Sequence, residues 1–181
     1  MGNDTTTAGW LTPTSVPPDN DQTLEKKLTQ WIQGVSGLEE GKVVPRWSAT
    51  APSPFPANTN GCAFEVVSIN DEGYPAFENQ TDDSAEMWRY QQIECMTSFF
   101  GPDSQSIGSQ FRDGLNISQN NAELNRLSLS LGEFTALISA VELGDDPAIR
   151  RYDMTIYLRR KLIRTYGVKS ILSASVSYFG E

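Results

Sequence analysis

The segment from Arg150 to Ile163 constrains the fold of this chain more than any other part of the sequence. From residue 152 to residue 158, apolar residues stand at every second position and alternate with mostly polar or charged ones, which is the period-two pattern of a β-strand with one buried face. The apolar set is Tyr152, Met154, Ile156 and Leu158. We predict that this segment is the longest strand of a β-sheet.

Helical spacing of apolar residues occurs elsewhere in the chain. Residues 22–35 carry an apolar stripe that predicts a core-facing helix. A second helix is predicted over residues 102–115, where a proline suits the first helical turn. A short third helix is predicted from Ser118 or Asn120 to Leu127.

The other strands are inferred from runs of β-forming residues between turn residues. Pro45 indicates that the first of these strands is an edge strand, because proline cannot donate a ladder hydrogen bond. Turns are predicted at Asp71–Gly73 and Gly144–Pro147, and a solvated polar loop over residues 74–85. The predicted strands are Val43–Trp47, Cys62–Asn70, Met87–Phe100, Leu129–Leu131, Phe134–Leu143 (with Gly132 as the break between these two) and Val168–Phe179.

The order of helix, strands, helix pair and further strands predicts an α+β fold with a mostly antiparallel sheet flanked by helices. Residues 1–21 are rich in Thr, Pro, Gly and Asp and are expected to form an extended N-terminal arm. Residues 22–181 are expected to form a single α+β domain. Trp10 and Leu11 form the apolar pair of the arm, and they are candidate docking residues, either on their own domain or on a neighbour.

The sequence contains few residues or motifs that are typical of enzyme active sites. It contains no histidine, which excludes His-based acid–base catalysis, Ser–His and Cys–His nucleophile pairs and His-containing metal sites. Phosphate-binding loops and the GxGxxG, GxSxG and HExxH motifs are absent from it as well. Cys62 and Cys95 lie in apolar, strand-like runs and are interpreted as buried hydrophobic residues. We therefore predict a protein without catalytic residues, cofactor or metal site.

Positive charge is concentrated in the predicted long strand. Residues 150–164 hold six of the fourteen basic residues and one acidic residue, so this window carries +5 while the rest of the chain, with 8 basic and 22 acidic residues, carries −14. Opposite charges on one molecule allow head-to-tail contacts between copies, which close into rings when the rotation allows. The candidate subunit-interface residues are Arg150, Arg151, Arg159, Arg160, Lys161 and Arg164.

Two other interpretations of the basic window stay open, a solvated strand face with internal ion pairs and a DNA-binding stripe. The net charge of −9 argues against the second, because non-specific nucleic-acid binding draws its affinity from neutralised phosphates. Residues 1–10 lack an apolar stretch, and no run of 18 apolar residues occurs, so neither a signal peptide nor a membrane span is expected.

Two blocks of the sequence resemble the neck (tail) terminator proteins of tailed bacteriophages. Ser98–Leu124 is similar to a family pattern in which a strand ends in a Ser-Phe-Tyr-like run and a helix with Leu/Phe-Arg-Asp-Gly-Leu and then Pro/Ser-Gln-Asn follows. Arg150–Ala174 matches the arginine-rich strand and the Arg-Thr-Tyr-x-Val close of the family. The arm at Gly9–Thr14, the first helix and Val43–Trp47 also fit this pattern.

The resemblance implies a structural protein of the virion. Members of the family form rings, typically hexamers, that cap the tail tube and join it to the neck. The implied partners are other copies of the chain, tail-tube and neck or connector proteins, and double-stranded DNA that passes through the lumen without sequence-specific binding. Assembly in the host cytoplasm and no membrane partner are expected. The acidic excess suits such a lumen, because like charges repel.

Other functions are kept as alternatives. The chain is alternatively another head–tail joining or tail-completion protein, or a monomeric adaptor that binds a partner through the Trp10 arm. A small-molecule-binding or carboxylate-dependent enzyme domain is the remaining alternative, and it would need a pocket with convergent carboxylates of perturbed pKa.

Overall fold

The structure, a computed structural model, describes residues 4–45, 54–56, 58–142 and 149–169. No helix within these ranges combines the length and the apolar character needed to cross a membrane. The helices are α1 Asp21–Ser36, α2 Ser104–Gly114 and α3 Ser118–Arg126, and the strands are β1 Val43–Pro45, β2 Gly61–Glu78, β3 Ala85–Phe100, β4 Ser130–Phe134, β5 Ile138–Glu142 and β6 Ile149–Tyr166.

The described strands form one sheet in the order β1-β2-β3-β6-β4, and β5 also pairs with β6. β4 and β5 run antiparallel to β6 and pair with Ile156–Arg159 and Ile149–Asp153, respectively. β1 is an edge strand, as Pro45 predicted, and pairs parallel with Cys62–Phe64. The predicted α+β fold with a mostly antiparallel sheet is confirmed.

The chain divides into two compact units. The larger unit comprises Asp19–Asn70 and Gln91–Arg160, and the smaller unit comprises Met1–Pro18, Asp71–Tyr90 and Lys161–Glu181. β2, β3 and β6 each contribute residues to both units. The expected division into an arm of residues 1–21 and one domain of residues 22–181 stays a prediction.

The core of the larger unit is formed by helices that bury their apolar stripes. All the apolar residues of the stripe predicted for the first helix are buried, so that prediction is confirmed. Phe111 of α2 is fully buried, with its ring centroid 5.9 Å from that of Trp31 in α1 and 5.4 Å from that of Phe99 in β3. These aromatic contacts tie both helices to the sheet, because aromatic pairs at such distances stabilise a core beyond their burial alone.

The predicted turn at Asp71–Gly73 is wrong, and the loop predicted over residues 74–85 is shorter than expected, since only residues 79–84 connect the two strands. β2 continues to Glu78, and β3 begins at Ala85. Gly73 has φ = +74°, a left-handed conformation that glycine adopts without strain and that lets the strand continue past this point. Residues 69–78 are almost all exposed, so hydrogen bonding with β3 and not burial holds this part of β2 in the sheet, and no apolar alternation marked it as a strand.

The predicted strand break at Gly132 is also wrong. Gly132 lies inside β4, where the register with β6 shifts between Leu131 and Glu133, as it does at a β-bulge. A Cβ atom on Gly132 would lie 3.1 Å from the carbonyl oxygen of Tyr157, so glycine suits this close approach. The actual break falls at residues 135–137. The predicted Gly144–Pro147 turn, Trp47 and most of the predicted strand Val168–Phe179 lie outside the described residues.

Cys62 and Cys95 are free, fully buried thiols, which confirms their interpretation as core residues. Burial, reinforced by the charge of Glu65, raises the pKa of Cys95 to about 12. Burial, reinforced by Cys95, also raises the pKa of Cys62 well above its ordinary value. Both thiols therefore stay protonated in the folded chain at pH values at which the unfolded chain releases their protons.

This difference predicts a loss of stability in alkaline solution. A raised folded-state pKa contributes stability that is complete below the ordinary thiol pKa, near 9, and is lost as the pH rises above it. The free energy of unfolding should fall by about 1.4 kcal/mol per thiol for each pH unit above about 9. Urea unfolding at pH 8 and pH 10 measures this, with Cys62→Ala/Cys95→Ala as the control. The same loss in both proteins would contradict the assignment to the thiols.

Candidate subunit interface

Alternation along β6 separates the six candidate basic residues. Met154, Ile156 and Leu158 are buried on one face of the strand, and Arg160 continues that buried face. Arg159 belongs to the alternate positions and is exposed. The six residues therefore do not form one continuous basic surface, although they are close in sequence.

Arg160 is only 8% exposed and is engaged within the larger unit. Its Nε donates to Gln91 Oε1 at 3.0 Å, and Nη2 donates to Asn20 Oδ1 at 2.9 Å. Nη1 donates to the carbonyl oxygen of Asp19. Two of these bonds hold the residues that immediately precede α1, so Arg160 stabilises the fold. We therefore leave Arg160 out of the proposed interface.

The other basic residues of β6 in the larger unit differ in their surroundings. Arg151 forms a two-pronged ion pair with Asp153, with Nε–Oδ1 at 2.9 Å and Nη2–Oδ2 at 2.7 Å. Arg150 is exposed, and its Nη1 lies 3.4 Å from the carbonyl oxygen of Pro102. Arg159 is exposed and stands opposite Ser130 of β4. Arg150 and Arg159 are thus the exposed basic residues of this unit's part of β6.

Lys161 and Arg164 belong to the smaller unit. The Lys161 Nζ lies 2.9 Å from the ring centroid of Trp88, in a cation–π contact. Trp88 Nε1 and Asn79 Nδ2 each donate to Glu86 Oε2 at 2.7 Å, and these hydrogen bonds, the one from Trp88 foremost, lower the pKa of Glu86. Lys161 is therefore part of a local cluster, while Arg164 is half-buried.

The N-terminal arm lies along the end of β6. The backbone N–H of Thr14 donates to the carbonyl oxygen of Thr165 at 2.8 Å, and the N–H of Thr165 donates to Ser15 Oγ at 3.1 Å. Trp10 is 91% exposed, whereas Leu11 is half-buried. On the other side of this apolar pair, the N–H of Thr5 donates to the carbonyl oxygen of Gly167 at 3.0 Å, so the arm is held on both sides of Trp10, whose side chain is exposed.

A groove in the larger unit was not predicted from the sequence. It has a volume of about 350 Å³ and lies between the first two turns of α1 and part of β2. Its lining consists of Asp21, Leu24, Glu25, Glu65, Val66, Val67, Ser68 and Ile69. Asp21 and Glu25 are four residues apart on the helix, and this spacing, which places them side by side, was the available signal.

The side chains of the motif block Ser98–Leu124 stabilise the fold. Asn120 Nδ2 donates to the carbonyl oxygen of Gly114 at 2.9 Å, and Asn121 Nδ2 donates to that of Leu115 at 3.0 Å, so both asparagines satisfy carbonyls at the end of α2. Trp31 of α1 donates from Nε1 to the carbonyl oxygen of Asn120 at 3.0 Å. The motif residues therefore join the three helices to one another.

The contacts described above are packing contacts, hydrogen bonds and ion pairs. Within residues 4–45, 54–56, 58–142 and 149–169, no group of three or more Asp, Glu or Cys side chains is arranged to hold a metal ion. The motif blocks supply helix ends, core aromatics and a strand with charged positions.

Comparison with known protein families identifies the chain. The family of phage neck terminator proteins matches residues 22–181, a range that begins in α1 and includes both motif blocks. No curated protein matches the chain. Because the family match covers most of the chain, the resemblance predicted from the motif blocks is confirmed, and the chain belongs to the phage neck terminator protein family.

Proposed function

We propose that this protein forms a homo-oligomeric ring, expected to be a hexamer, that caps the tail tube and joins it to the head-proximal neck of the virion. The observation that carries the proposal is the family match over residues 22–181. DNA passes through the ring, and the acidic excess of the chain keeps the DNA from adhering to the lumen wall. A ring structure with a basic lumen would contradict this last point.

Exposed aromatic residues support a role in protein–protein contacts. In the smaller unit, Trp10 and Tyr74 are 91% and 99% exposed, and Phe77 and Tyr90 are more than half exposed. Aromatic side chains are enriched in protein interfaces relative to the rest of a protein surface. We assign the Trp10 arm and the exposed part of β2 and β3 in this unit to contacts within the neck.

The role proposed for this protein is not catalytic. Its sequence lacks histidine, and the motif block Ser98–Leu124 is occupied with helix packing and capping. A structural role in the neck requires a stable fold, and the motif residues stabilise the fold by joining the helices. It also places the exposed basic residues Arg150 and Arg159 at contacts between copies, through charge pairing.

Two measurements test the proposal. Native mass spectrometry of the purified protein, alone and with tail tubes, should show a closed oligomer, and six chains of 20.0 kDa give about 120 kDa. Imaging of virions that carry a labelled protein should place the label at the head-proximal end of the tail. A chain that stays monomeric under both conditions and is missing from the neck would support the monomeric adaptor instead.

A further inference from the structure

A second groove of the larger unit, the α1–α3 groove, lies between α1 and α3 and has a volume of about 580 Å³. Two side chains of α1 bind α3 near its ends. Trp31 Nε1 donates to the carbonyl oxygen of Asn120 at 3.0 Å, and Lys27 Nζ donates to that of Leu127 at 3.0 Å. The groove is therefore formed before anything binds in it, as most binding sites are. Its lining consists of Gln30, Trp31, Gly34, Val35, Asn120, Glu123, Arg126 and Leu127.

The α1–α3 groove combines an apolar floor with a rim on which opposite charges are paired. Trp31 and Val35 are buried, and Leu127 is half-buried. On the rim, Arg126 forms an ion pair with Glu123, so the two charges cancel. A guanidinium binds the face of an aromatic ring, tryptophan best of all, and a carboxylate accepts a hydrogen bond from an indole N–H. The groove is thus complementary to a tryptophan on an uncharged segment.

Gly34 leaves open space on the α1 side of the groove. It is exposed, and a Cβ atom there would meet no described atom within 4 Å. A ring is therefore able to approach the backbone of α1 closely at this residue. Glycine within a helix is less stable than alanine, so a close contact with a partner gives a physical reason for glycine at this position.

The N-terminal arm carries a side chain of the required kind. Residues 5–14 contain no charged residue, and Trp10 and Leu11 stand in the middle of them. Backbone hydrogen bonds to the carbonyl oxygens of Gly167 and Thr165 hold the two ends of this stretch. While the arm is held in this way, Trp10 is 91% exposed, whereas a ring seated in a groove would be largely buried. The indole that fills the groove is therefore supplied by another copy.

We propose that Trp10 of one copy inserts into the α1–α3 groove of the next copy, with its ring over Gly34 and against Arg126. The contact is heterologous, because different surfaces of the two copies meet, and its repetition generates a ring when the rotation closes. A tryptophan in a preformed groove carries a large share of the binding energy of an interface. This inference rests on the proposed ring and names two surfaces that build it.

Removing the ring or filling the groove tests this contact. Trp10→Ala and Gly34→Leu should each weaken self-association by about tenfold or more, because either change prevents the insertion. Gly34→Leu should retain the fold, because leucine favours a helix over glycine and the new side chain enters open space. Ala122→Leu is the matched control and should associate like the wild type, because Ala122 is an exposed residue of α3 outside the groove lining.

A mixture of the two variants gives a more specific result. Trp10→Ala retains the groove and Gly34→Leu retains the tryptophan, so one contact forms between unlike copies, and growth stops at the pair. In native mass spectrometry over a concentration series, the equimolar mixture should form pairs of about 40 kDa, twice the 20.0 kDa of one chain. These pairs should appear at concentrations about tenfold lower than any association of either variant alone.

The outcomes separate this inference from the proposed function. Rings that form equally well from the wild type, Trp10→Ala and Gly34→Leu would overturn the inference and leave the ring intact. Variants with unchanged circular dichroism spectra that pair no better in the mixture than alone would also overturn it, as would an equal loss from Ala122→Leu. A wild-type protein that never assembles, alone or on tail tubes, would overturn both proposals.

Discussion

Replacing Gly101 with alanine should lower the free energy of unfolding by about 3–5 kcal/mol. Gly101 has φ = +102°, a conformation that costs other residues about 1–3 kcal/mol. A Cβ atom there would lie 2.6 Å from the carbonyl oxygen of Thr59 and 2.9 Å from the Cα of Asn60. Because these atoms belong to the backbone, the chain itself must move, and overpacking adds a similar cost.

The position of Gly101 explains why the loss should be large. Its N–H donates to the carbonyl oxygen of Arg150 at 3.1 Å, so it joins the end of β3 to the start of β6. Asn60 and Asp103 exchange two hydrogen bonds beside it, from Asn60 Nδ2 to Asp103 Oδ2 at 2.8 Å and from the Asp103 N–H to Asn60 Oδ1 at 3.0 Å. A backbone shift at Gly101 would disturb all three bonds.

Urea unfolding of the wild type, Gly101→Ala and Gly34→Ala measures this effect. Gly34 lies in α1, and a Cβ atom there would meet nothing within 4 Å, so this control should raise the stability by about 0.5–1 kcal/mol. A Gly101→Ala variant within about 1 kcal/mol of the wild type would show that the tight contact with residues 59–60 does not exist.

Replacing Arg160 with methionine should destabilise the larger unit by about 2–4 kcal/mol. Methionine retains the apolar stem but removes the guanidinium, which leaves Gln91 Oε1, Asn20 Oδ1 and the Asp19 carbonyl without this donor. Hydrogen bonds from a charged donor contribute about 1.5–3 kcal/mol each, and water replaces part of this loss because Asn20 is exposed and Asp19 and Gln91 are half-buried. The residues before α1 would lose their anchor.

The matched control is Arg159→Met, one position along the same strand. Arg159 is exposed, so this change should alter the free energy of unfolding by no more than about 0.5 kcal/mol. Denaturant unfolding and self-association are measured for both variants. If Arg160→Met instead unfolds like the wild type while its copies no longer associate, Arg160 belongs to the subunit interface and not to the fold.

Several features of the fold followed from local patterns. The apolar stripe of α1 and the alternation of β6 are repeated many times along their segments, so each identified an element and its buried face. Pro45 predicted an edge strand because proline has no N–H to donate to a neighbouring strand, and this property is visible from one residue. The exposed end of β2 carries no such pattern, since pairing with β3 holds it in the sheet, and it was predicted as a turn and a loop.

The candidate interface was less accessible to sequence patterns. The sequence identified the six basic residues of residues 150–164. Which of them are exposed depends on the groups that pack around each side chain in the fold. Arg160 lies on the same face of β6 as Met154, Ile156 and Leu158, so the alternation in the sequence already indicated that it is buried. The acidic groove was predictable only in part, because the helical spacing of Asp21 and Glu25 is visible in the sequence whereas Glu65 joins them only after β2 and α1 have packed together.

The sequence by itself determined the α+β plan, the absence of histidine chemistry and the family, because periodicity, composition and contiguous motifs are properties of the chain before it folds. The tertiary structure alone decided which groups surround each charged side chain. Arg160 binds the residues before α1, Arg151 binds Asp153, and Arg159 stays exposed, although all three are arginines of one strand. The physical reason is that solvent exposure and pairing depend on what packs against each face of β6.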